Sequence, residues 1–232
     1  MRPSSVETPV LAPRDWDAVR TDFEASAPFN YAVMDSFFDP AYLEDLRSKI
    51  LAHWGWRYKN WVNQYLHNYE LDFPELEETM NSLSTRLPAP LSGMQLVKYW
   101  TIMQHRNVGL APHADNASFI VNVWLTPDDF NDDSATGGLF FFDVKRTDGM
   151  AYHEYNTPPY TDEYIAAHTG GERAHVPYAY NRAVLFDART FHCSDEIRFK
   201  NEGAHSSRIN LTLAMDDPAE FAARESSGYE DD

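Results

Sequence analysis

The sequence predicts a mainly β fold with flanking helices, an α+β arrangement around one hydrophobic core. Two patterns indicate it: amphipathic, helix-like segments occupy the first third of the chain, and from residue 91 onward short strand-like segments alternate with turns. A chain of 232 residues with 43% hydrophobic residues is long enough to bury one sizeable core. We therefore expect a single domain over residues 29–215, preceded by an N-terminal arm (1–28) that docks late and followed by a mobile, acidic C-terminal tail (216–232).

The segments before the strand-rich part are predicted to support a sheet with helices. Residues 31–34 are a candidate strand. Asp39-Pro40 is a start signal for a helix over residues 41–51, and a second amphipathic helix, with a proline at its start, is predicted for residues 74–87. We expect this helical support to span residues 35–90.

An aromatic cluster separates the two predicted helices. It comprises residues 54–61, which include three tryptophans, followed by Tyr65, His67 and Tyr69. Such side chains can line a substrate mouth, but packing of a sheet against helices explains the cluster more simply. We therefore predict a packing role.

The rest of the chain reads as strands separated by turns. Two connections stand out. The acid-rich loop 126–138 lacks the ligand register of an EF-hand loop, so we predict a solvated turn rather than a calcium site. The connection 144–176 is too long for a hairpin, and since loops of this length are typical of functional segments, we interpret it as a lid or insert. The predicted strands cover residues 94–103, 118–125, 139–143, 182–187 and 208–215.

Composition restricts the partners of the protein. Nineteen Lys and Arg residues against 36 Asp and Glu residues give a formal net charge of -17, which repels nucleic acid and anionic membranes. Cys193 is the single cysteine, which excludes an intrachain disulfide and a cysteine-based zinc site. The sequence shows no apolar run of about 18 residues and no signal-peptide pattern, so we expect a cytoplasmic protein that acts on small molecules, without membrane contact.

A histidine and an aspartate stand two residues apart just before the strand predicted at 118–125. In an extended chain, residues i and i+2 face the same side, so His113 and Asp115 would converge on one point. One strand edge can supply two ligands of a 2-His-1-carboxylate iron site in this way. A third ligand is then expected from a distant strand.

His192 is the preferred third ligand among the nine histidines. It follows the apolar strand 182–187 after a short turn and so lies at a strand border. His105 and His205 are competitors, but both belong to loops, where a metal ligand is held less rigidly. Surface or structural roles are predicted for the others, His53, His67, His153, His168 and His175.

Four elements in chain order carry a family resemblance. They are His113-x-Asp115, the run Gly137-Gly138-Leu-Phe-Phe-Phe, the segment 181–188 leading to His192, and Arg208-x-Asn210-x-Thr212. In this order they resemble the iron(II)- and 2-oxoglutarate-dependent dioxygenases, particularly the prolyl-hydroxylase-like branch. The resemblance covers residues 31–215.

The resemblance implies a double-stranded β-helix, a jelly-roll, cupin-like barrel formed by residues 91–215 with the metal at its mouth. His113, Asp115 and His192 would be the catalytic metal ligands on one face of Fe(II), which leaves positions for 2-oxoglutarate and O2.

The resemblance also implies how the cosubstrate binds. Arg208 matches the basic residue that holds the far carboxylate of 2-oxoglutarate, a role suited to a planar guanidinium with parallel donors. Asn210 and Thr212 would share its strand face. Tyr99 and Trp124 match positions at which some members contact the cosubstrate.

Some alternatives stay open. Because the separation between His192 and Arg208 is longer than in many relatives, Arg198 or Lys200 could replace Arg208 as the anchor. The implied reaction is hydroxylation of an unactivated C–H bond in a small metabolite or an amino acid, free or peptide-linked, with conversion of 2-oxoglutarate and O2 to succinate and CO2. Related halogenases have a small residue in place of Asp115, which opens a site for halide, so the presence of Asp115 favours hydroxylation. A zinc hydrolase with the same three ligands, or a non-catalytic cupin-like binding protein, are the other two classes.

Overall fold

A computed structural model of the protein describes residues 9–60, 64–84 and 92–226. Within these ranges, three helices and three strands precede residue 85, and the remainder is mostly strand. In chain order the elements are α1 (Trp16–Ala25), β1 (Tyr31–Met34), α2 (Pro40–Ala52), β2 (Arg57–Asn60), β3 (Gln64–Asn68), α3 (Pro74–Ser84), β4 (Gln95–Gln104), β5 (Phe119–Trp124), β6 (Leu139–Lys145), α4 (Tyr152–Asn156), α5 (Tyr160–His168), β7 (Arg173–Val176), β8 (Ala183–Asp187), β9 (Thr190–Ser194), β10 (Arg208–Asp216) and α6 (Pro218–Ser226).

The helix predicted at 41–51 is confirmed as α2, and local sequence explains its start. The Asp39 carboxylate accepts hydrogen bonds from the backbone N–H groups of Ala41 (2.9 Å) and Tyr42 (3.4 Å). Pro40 occupies the first turn, where its missing N–H has no cost. The helix buries one apolar face against the sheet, formed by Leu43, Leu46 and Ile50.

Strand pairing produces two antiparallel sheets. The larger sheet has the order β1-β8-β5-β10-β4-β3-β2, and the smaller has the order β7-β6-β9. β10 lies at the centre of the large sheet, with Asn210 opposite Trp124 of β5 and Ile102 of β4. The inner faces of the two sheets share one hydrophobic cluster, in which Phe141 of β6 packs against Phe186 of β8. The result is the mainly β barrel with flanking helices that the sequence predicted.

The outer face of the large sheet packs against the helices. Because side chains alternate along a strand, β5 turns Val121 and Val123 toward the helices and Ile120 toward the barrel interior. Both faces are therefore covered, which explains why every residue of β5 is buried.

All five predicted strands of the second half are present, with boundaries that agree within two residues. The patterns missed β2, β3, β7 and β9, which are four or five residues long and show little apolar alternation. The helix predicted to reach residue 87 is α3, and residues 85–87 lie outside the described part of the chain.

Both terminal segments contain a helix. In the N-terminal segment, α1 buries Val19 and Phe23, and the Phe23 ring meets Phe119 of β5 at a centroid distance of 5.8 Å. Residues 218–226 form α6, whose Phe221 and Glu225 line the main cavity. The insert 144–176 contains α4, α5 and β7 rather than irregular loop.

None of the helices in the described ranges has the length and apolar character needed to cross a bilayer.

Candidate active site

His113, Asp115 and His192 lie together at the edge of the barrel, as the sequence predicted. Their ligand atoms all lie within 4.8 Å of one another. Backbone hydrogen bonds hold them there: His113 and His192 exchange N–H···O bonds of 2.9 and 2.8 Å, and the N–H of Asp115 donates to the carbonyl of Ala188 (2.9 Å). Two segments that are distant in sequence are thus fixed in register, and the two imidazole centroids are 4.3 Å apart.

The hydrogen bonds of the two imidazoles fix their tautomers. Nδ1 of His113 lies 2.8 Å from the carbonyl of Ala111, and Nδ1 of His192 lies 3.0 Å from the carbonyl of Thr190. Because a carbonyl only accepts, each Nδ1 carries the proton, and each Nε2 keeps a free lone pair. This is the arrangement that orients histidines as metal ligands. The Nε2 of His192 lies 3.5 Å from the Asp115 carboxylate.

Burial shapes the protonation of the cluster. It raises the pKa of the Asp115 carboxyl, an effect that the neighbouring His113 and Arg146 oppose. Burial, together with the neighbouring His113, holds the pKa of His192 well below its ordinary value, so the ring is neutral. Two imidazole nitrogens and a carboxyl group in a desolvated position form a donor set suited to a divalent cation.

The insert between β6 and β7 supports the segment that carries His113 and Asp115. The N–H of Ala114 donates to the carbonyl of Tyr155 in α4 (2.8 Å), and Nε of Arg146 donates to the carbonyl of Asp115 (3.1 Å). The Arg146 guanidinium also lies 5.0 Å from the Tyr155 ring centroid. The insert therefore holds the backbone between the two candidate ligands His113 and Asp115.

Arg208 is a buried cation with an unused donor. Only 2% of its surface is exposed, and its guanidinium lies 5.8 Å from the ring centroid of Trp124 and 6.0 Å from that of Tyr178. Nε donates to the carbonyl of Gly137 (2.6 Å) and Nη1 donates to Gln104, but Nη2 has no partner among the described residues. Burial lowers its pKa to about 10, so it is charged at neutral pH.

An unpaired buried cation is costly unless an anion binds it. Arg208 forms no ion pair with the acidic groups of the described ranges and lines the main cavity.

Sequence reasoning missed the supports of Arg208, which are Gln104 and Tyr178, because no local pattern marks them. The Gly137-Gly138 pair was found, and the structure shows its purpose: Gly138 passes so close to β7 that a Cβ would lie 1.9 Å from the carbonyl of Val176.

Asn210 and Thr212 follow Arg208 on the same face of β10. Nδ2 of Asn210 donates to Oδ1 of Asn122 (2.8 Å) and to Oγ1 of Thr212 (3.0 Å). Nδ2 of Asn122 has no partner within the described residues. The three side chains form a polar strip along the cavity floor, and Asn122 was not predicted.

One cavity joins these groups. It has a volume of about 890 Å³, and its walls include the three candidate metal ligands together with Arg208, Asn210 and Thr212. A concave site that combines apolar walls with a few convergent polar groups is typical of ligand binding.

Tyr99 does not reach this cavity. Its hydroxyl accepts from the N–H of Phe73 (2.8 Å) and donates to Glu77 of α3 (2.9 Å), so the ring lies on the helix side of the sheet. The expectation of a cosubstrate contact is wrong because β4 turns Trp100, not Tyr99, toward the interior. Trp124 is fully buried behind the Arg208 guanidinium and orients it instead of lining the cavity.

The aromatic cluster in part lines the cavity, which corrects the prediction of packing alone. Tyr65, His67 and Tyr69 form one wall, and Trp54 is 73% exposed. The period-two spacing of residues 65, 67 and 69 was the available signal, because alternate residues of a strand share a face. Trp61 lies outside the described residues.

The competing candidates lie elsewhere. The His205 ring contacts Phe130, the His105 ring contacts Tyr58, and neither joins the metal-ligand group found in the described residues. Arg198 is exposed and pairs with Glu196 at 2.9 Å. Lys200 is exposed too and lies over the ring of Phe130, so neither cation lines the cavity as Arg208 does.

Sequence comparison finds no matching family model and no matching curated protein. Solved structures, by contrast, share the fold. The α-ketoglutarate-dependent carbocyclase SnoK from nogalamycin biosynthesis has a TM-score of 0.61 at 12% identity, over 88% of this chain and 87% of that chain. The epimerase SnoN from the same biosynthesis has a TM-score of 0.58 at 14% identity, over 87% and 83%.

A prolyl hydroxylase from Trichoplax adhaerens, in complex with a hypoxia inducible factor peptide fragment, has a TM-score of 0.59 at 13% identity, over 90% and 93% of the two chains. Two of these structures are α-ketoglutarate-dependent enzymes and the third is a prolyl hydroxylase, in agreement with the family that the sequence resembles. At such low identity the likeness establishes the fold, and the chain therefore has the double-stranded β-helix fold of the non-haem 2-oxoglutarate-dependent oxygenases.

Proposed function

We propose that the protein is an iron(II)- and 2-oxoglutarate-dependent oxygenase that hydroxylates a C–H bond of a small metabolite or an amino acid, free or peptide-linked. The observation that carries the proposal is the unpaired Nη2 of buried Arg208 in the same cavity as the three candidate metal ligands. A hydrolytic zinc site or a structural histidine cluster has no need of this second, carboxylate-binding group.

The three ligands fit Fe(II). His113 and His192 would bind through Nε2, since both Nδ1 atoms are engaged, and Asp115 would bind through its carboxylate. The bound ion would supply the activation of O2 coupled to oxidative decarboxylation of 2-oxoglutarate.

The surrounding residues would bind the cosubstrate and exclude water. Arg208 would bind its far carboxylate with parallel charge-assisted hydrogen bonds, and Asn210 and Thr212 offer polar contacts beside it. The rings of Phe141 and Phe186 lie 5.9 and 4.7 Å from His192 and form an apolar wall next to the metal-binding atoms. Such a wall keeps bulk water from one side of the site.

The structures that share the fold support a metal ion and 2-oxoglutarate as cofactors, but they differ in the reaction that they catalyse. SnoN is described in complex with Fe3+ and α-ketoglutarate, and HygX in complex with nickel and 2-oxoglutarate. Because an epimerase and a carbocyclase occur beside a prolyl hydroxylase, hydroxylation is the proposed outcome rather than one that the fold requires.

Anaerobic titration with Fe(II) and 2-oxoglutarate tests the proposal. We expect a weak visible charge-transfer band in the native protein, its loss in Asp115→Ala, and its retention in His205→Ala, a variant of the competing histidine outside the cavity. Succinate release over a panel of metabolites then reports the substrate. Absence of the band, or hydrolytic activity with zinc and no 2-oxoglutarate, would contradict the proposal.

A further inference from the structure

The cavity extends beyond the groups proposed for metal and cosubstrate. Its volume of about 890 Å³ falls in the range of about 300–1,000 Å³ that accommodates a drug-sized ligand, whereas 2-oxoglutarate is a small diacid. One wall of the remaining space is the inward face of β2, β3 and β4, continued by Tyr69 just after β3. It carries Lys59, Tyr65, His67, Tyr69, Lys98 and Trp100.

Strand register places these side chains on one face. Lys59 pairs with Tyr65, and His67 pairs with Ile102, so alternate residues of the three strands point into the same space. Neighbouring rings are in contact: the centroids of His67 and Tyr69 are 4.9 Å apart, and those of Tyr69 and Trp100 are 5.9 Å apart. This aromatic wall offers ring faces on which a flat ligand can stack.

Lys98 adds a positive charge to the wall. It is partly buried, and its ammonium lies 5.5 Å from the Tyr69 ring centroid. Across residues 9–60, 64–84 and 92–226 its ammonium has neither an ion-pair partner nor a hydrogen-bond partner. Acidic residues outnumber basic ones by 36 to 19 in the sequence, so a lysine left without an acidic partner is notable here.

The charge balance inside the cavity is the reverse of that of the chain. The basic groups are Lys59, Lys98 and Arg208, and the acidic ones are Asp115 and Glu225. Asp115 belongs to the metal-ligand group, and Glu225 lies near Asn116, whose Nδ2 is 3.4 Å away. Near Lys98 and Lys59 the positive charges are not matched by these two acids, and a concave surface with an excess of one sign of charge attracts ligands of the opposite sign.

Lys98 is too far from Arg208 to bind the same small diacid. Lys98 pairs with Ala214 of β10, whereas Arg208 itself pairs with Gln104, at the other end of β4. The six residues from Arg208 to Ala214 correspond to about 20 Å of strand. Ala214 also pairs with Ile120, which places Lys98 at the end of the cavity where the Asp115 segment enters β5. The anion that Lys98 fits is therefore a different one.

We propose that Lys98 binds an anionic group of the substrate, and that the substrate is an organic anion whose ring lies against Tyr69 and Trp100. This inference rests on the proposed function, since it assigns to the substrate the part of the cavity that 2-oxoglutarate does not use. A carboxylate attached to, or close to, a planar ring satisfies both features.

Calorimetric titration of the full-length, metal-free protein with a matched probe pair tests the inference. The probes are 2-naphthoate and its uncharged isostere 2-naphthamide, at low ionic strength. We expect naphthoate to bind about tenfold more tightly than the amide, the factor that one charge-assisted contact of about 1.4 kcal/mol gives. In Lys98→Gln the two probes should bind about equally, and Lys98→Arg should restore the preference.

Two further variants make the result specific. Lys98→Glu should reverse the preference, so that 2-naphthylmethylammonium binds more tightly than 2-naphthoate. Lys200→Gln removes an exposed lysine outside the cavity and should leave the tenfold ratio unchanged. Thermal unfolding of each variant verifies that it is folded.

Three outcomes would overturn the inference: no binding of either probe, no preference for naphthoate in the native protein, or a preference that survives in Lys98→Glu, which would assign the anion to Arg208. The measurement uses neither metal nor 2-oxoglutarate nor turnover. A missing charge-transfer band would therefore refute the proposed function without affecting the probe-binding measurement. Failure of the probes to bind as expected would refute this inference without affecting the charge-transfer experiment.

Discussion

Replacement of Arg208 by methionine tests the carboxylate anchor most directly. The substitution removes the charge and keeps much of the side-chain length. Loss of one partner from a buried, hydrogen-bonded charge pair costs about 2–5 kcal/mol. Since Arg208 is only 2% exposed, solvent screening does not reduce this figure. A cost of about 3 kcal/mol corresponds to binding of 2-oxoglutarate that is weaker by about 100-fold.

Thermal unfolding with a divalent metal and 2-oxoglutarate is a suitable assay. At a ligand concentration of about 100 times Kd, the native protein gains about 2.7 kcal/mol, and a chain of this size gains about 2–4 °C in Tm per kcal/mol. We therefore expect the ligands to raise the Tm of the native protein by about 5–11 °C. In Arg208→Met the same concentration is close to Kd, the gain falls to about 0.4 kcal/mol, and the shift falls to about 1–2 °C.

Arg198→Met is the matched control. Arg198 is exposed, pairs with Glu196 and lies outside the cavity, so the variant should keep the full ligand-induced shift. A full shift in Arg208→Met, or its loss in Arg198→Met, would refute the assignment of Arg208 as the anchor.

Three substitutions probe the scaffold. Tyr99→Phe should lower stability by about 1 kcal/mol and leave the affinity for 2-oxoglutarate unchanged, because its hydroxyl bonds lie on the helix side of the sheet; a weaker cosubstrate affinity would contradict this placement. Asn181→Ala should cost about 2–3 kcal/mol in denaturant unfolding, since the buried amide bonds both backbone groups of Phe38 and the residue has a φ of 60°. Gly138→Ala should unfold at a clearly lower temperature than the native protein, as its Cβ would meet the carbonyl of Val176 at 1.9 Å; an unchanged Tm would show that β6 and β7 separate readily.

Features encoded by neighbouring residues were predictable. The Asp39-Pro40 signal located the start of α2, a run of β-branched and aromatic residues located β5, and alternating apolar residues located β10. The spacing of His113 and Asp115 predicted a shared site because both lie on one extended segment. Such features depend on short-range geometry, which the local sequence determines.

Features that depend on strand pairing were not predictable. Pairing of β4 with β10 sets Trp100 opposite Thr212 in the cavity and Tyr99 opposite Leu213 under the helices. A one-residue change of register would exchange these faces, and the sequence of β4 contains too little alternation to choose between them.

The sequence by itself determined the β-rich architecture, the pair of candidate metal ligands on one segment and the basic residue that begins β10. The sequence left His105 and His205 as competitors of His192, and only the tertiary structure showed that His192 alone of the three lies beside the pair. It also showed that Gln104 and Tyr178 contact Arg208 and that α6 and β3 line the cavity. The physical reason is that these groups meet through contacts between segments far apart in the chain, which depend on strand register and packing rather than on local preference.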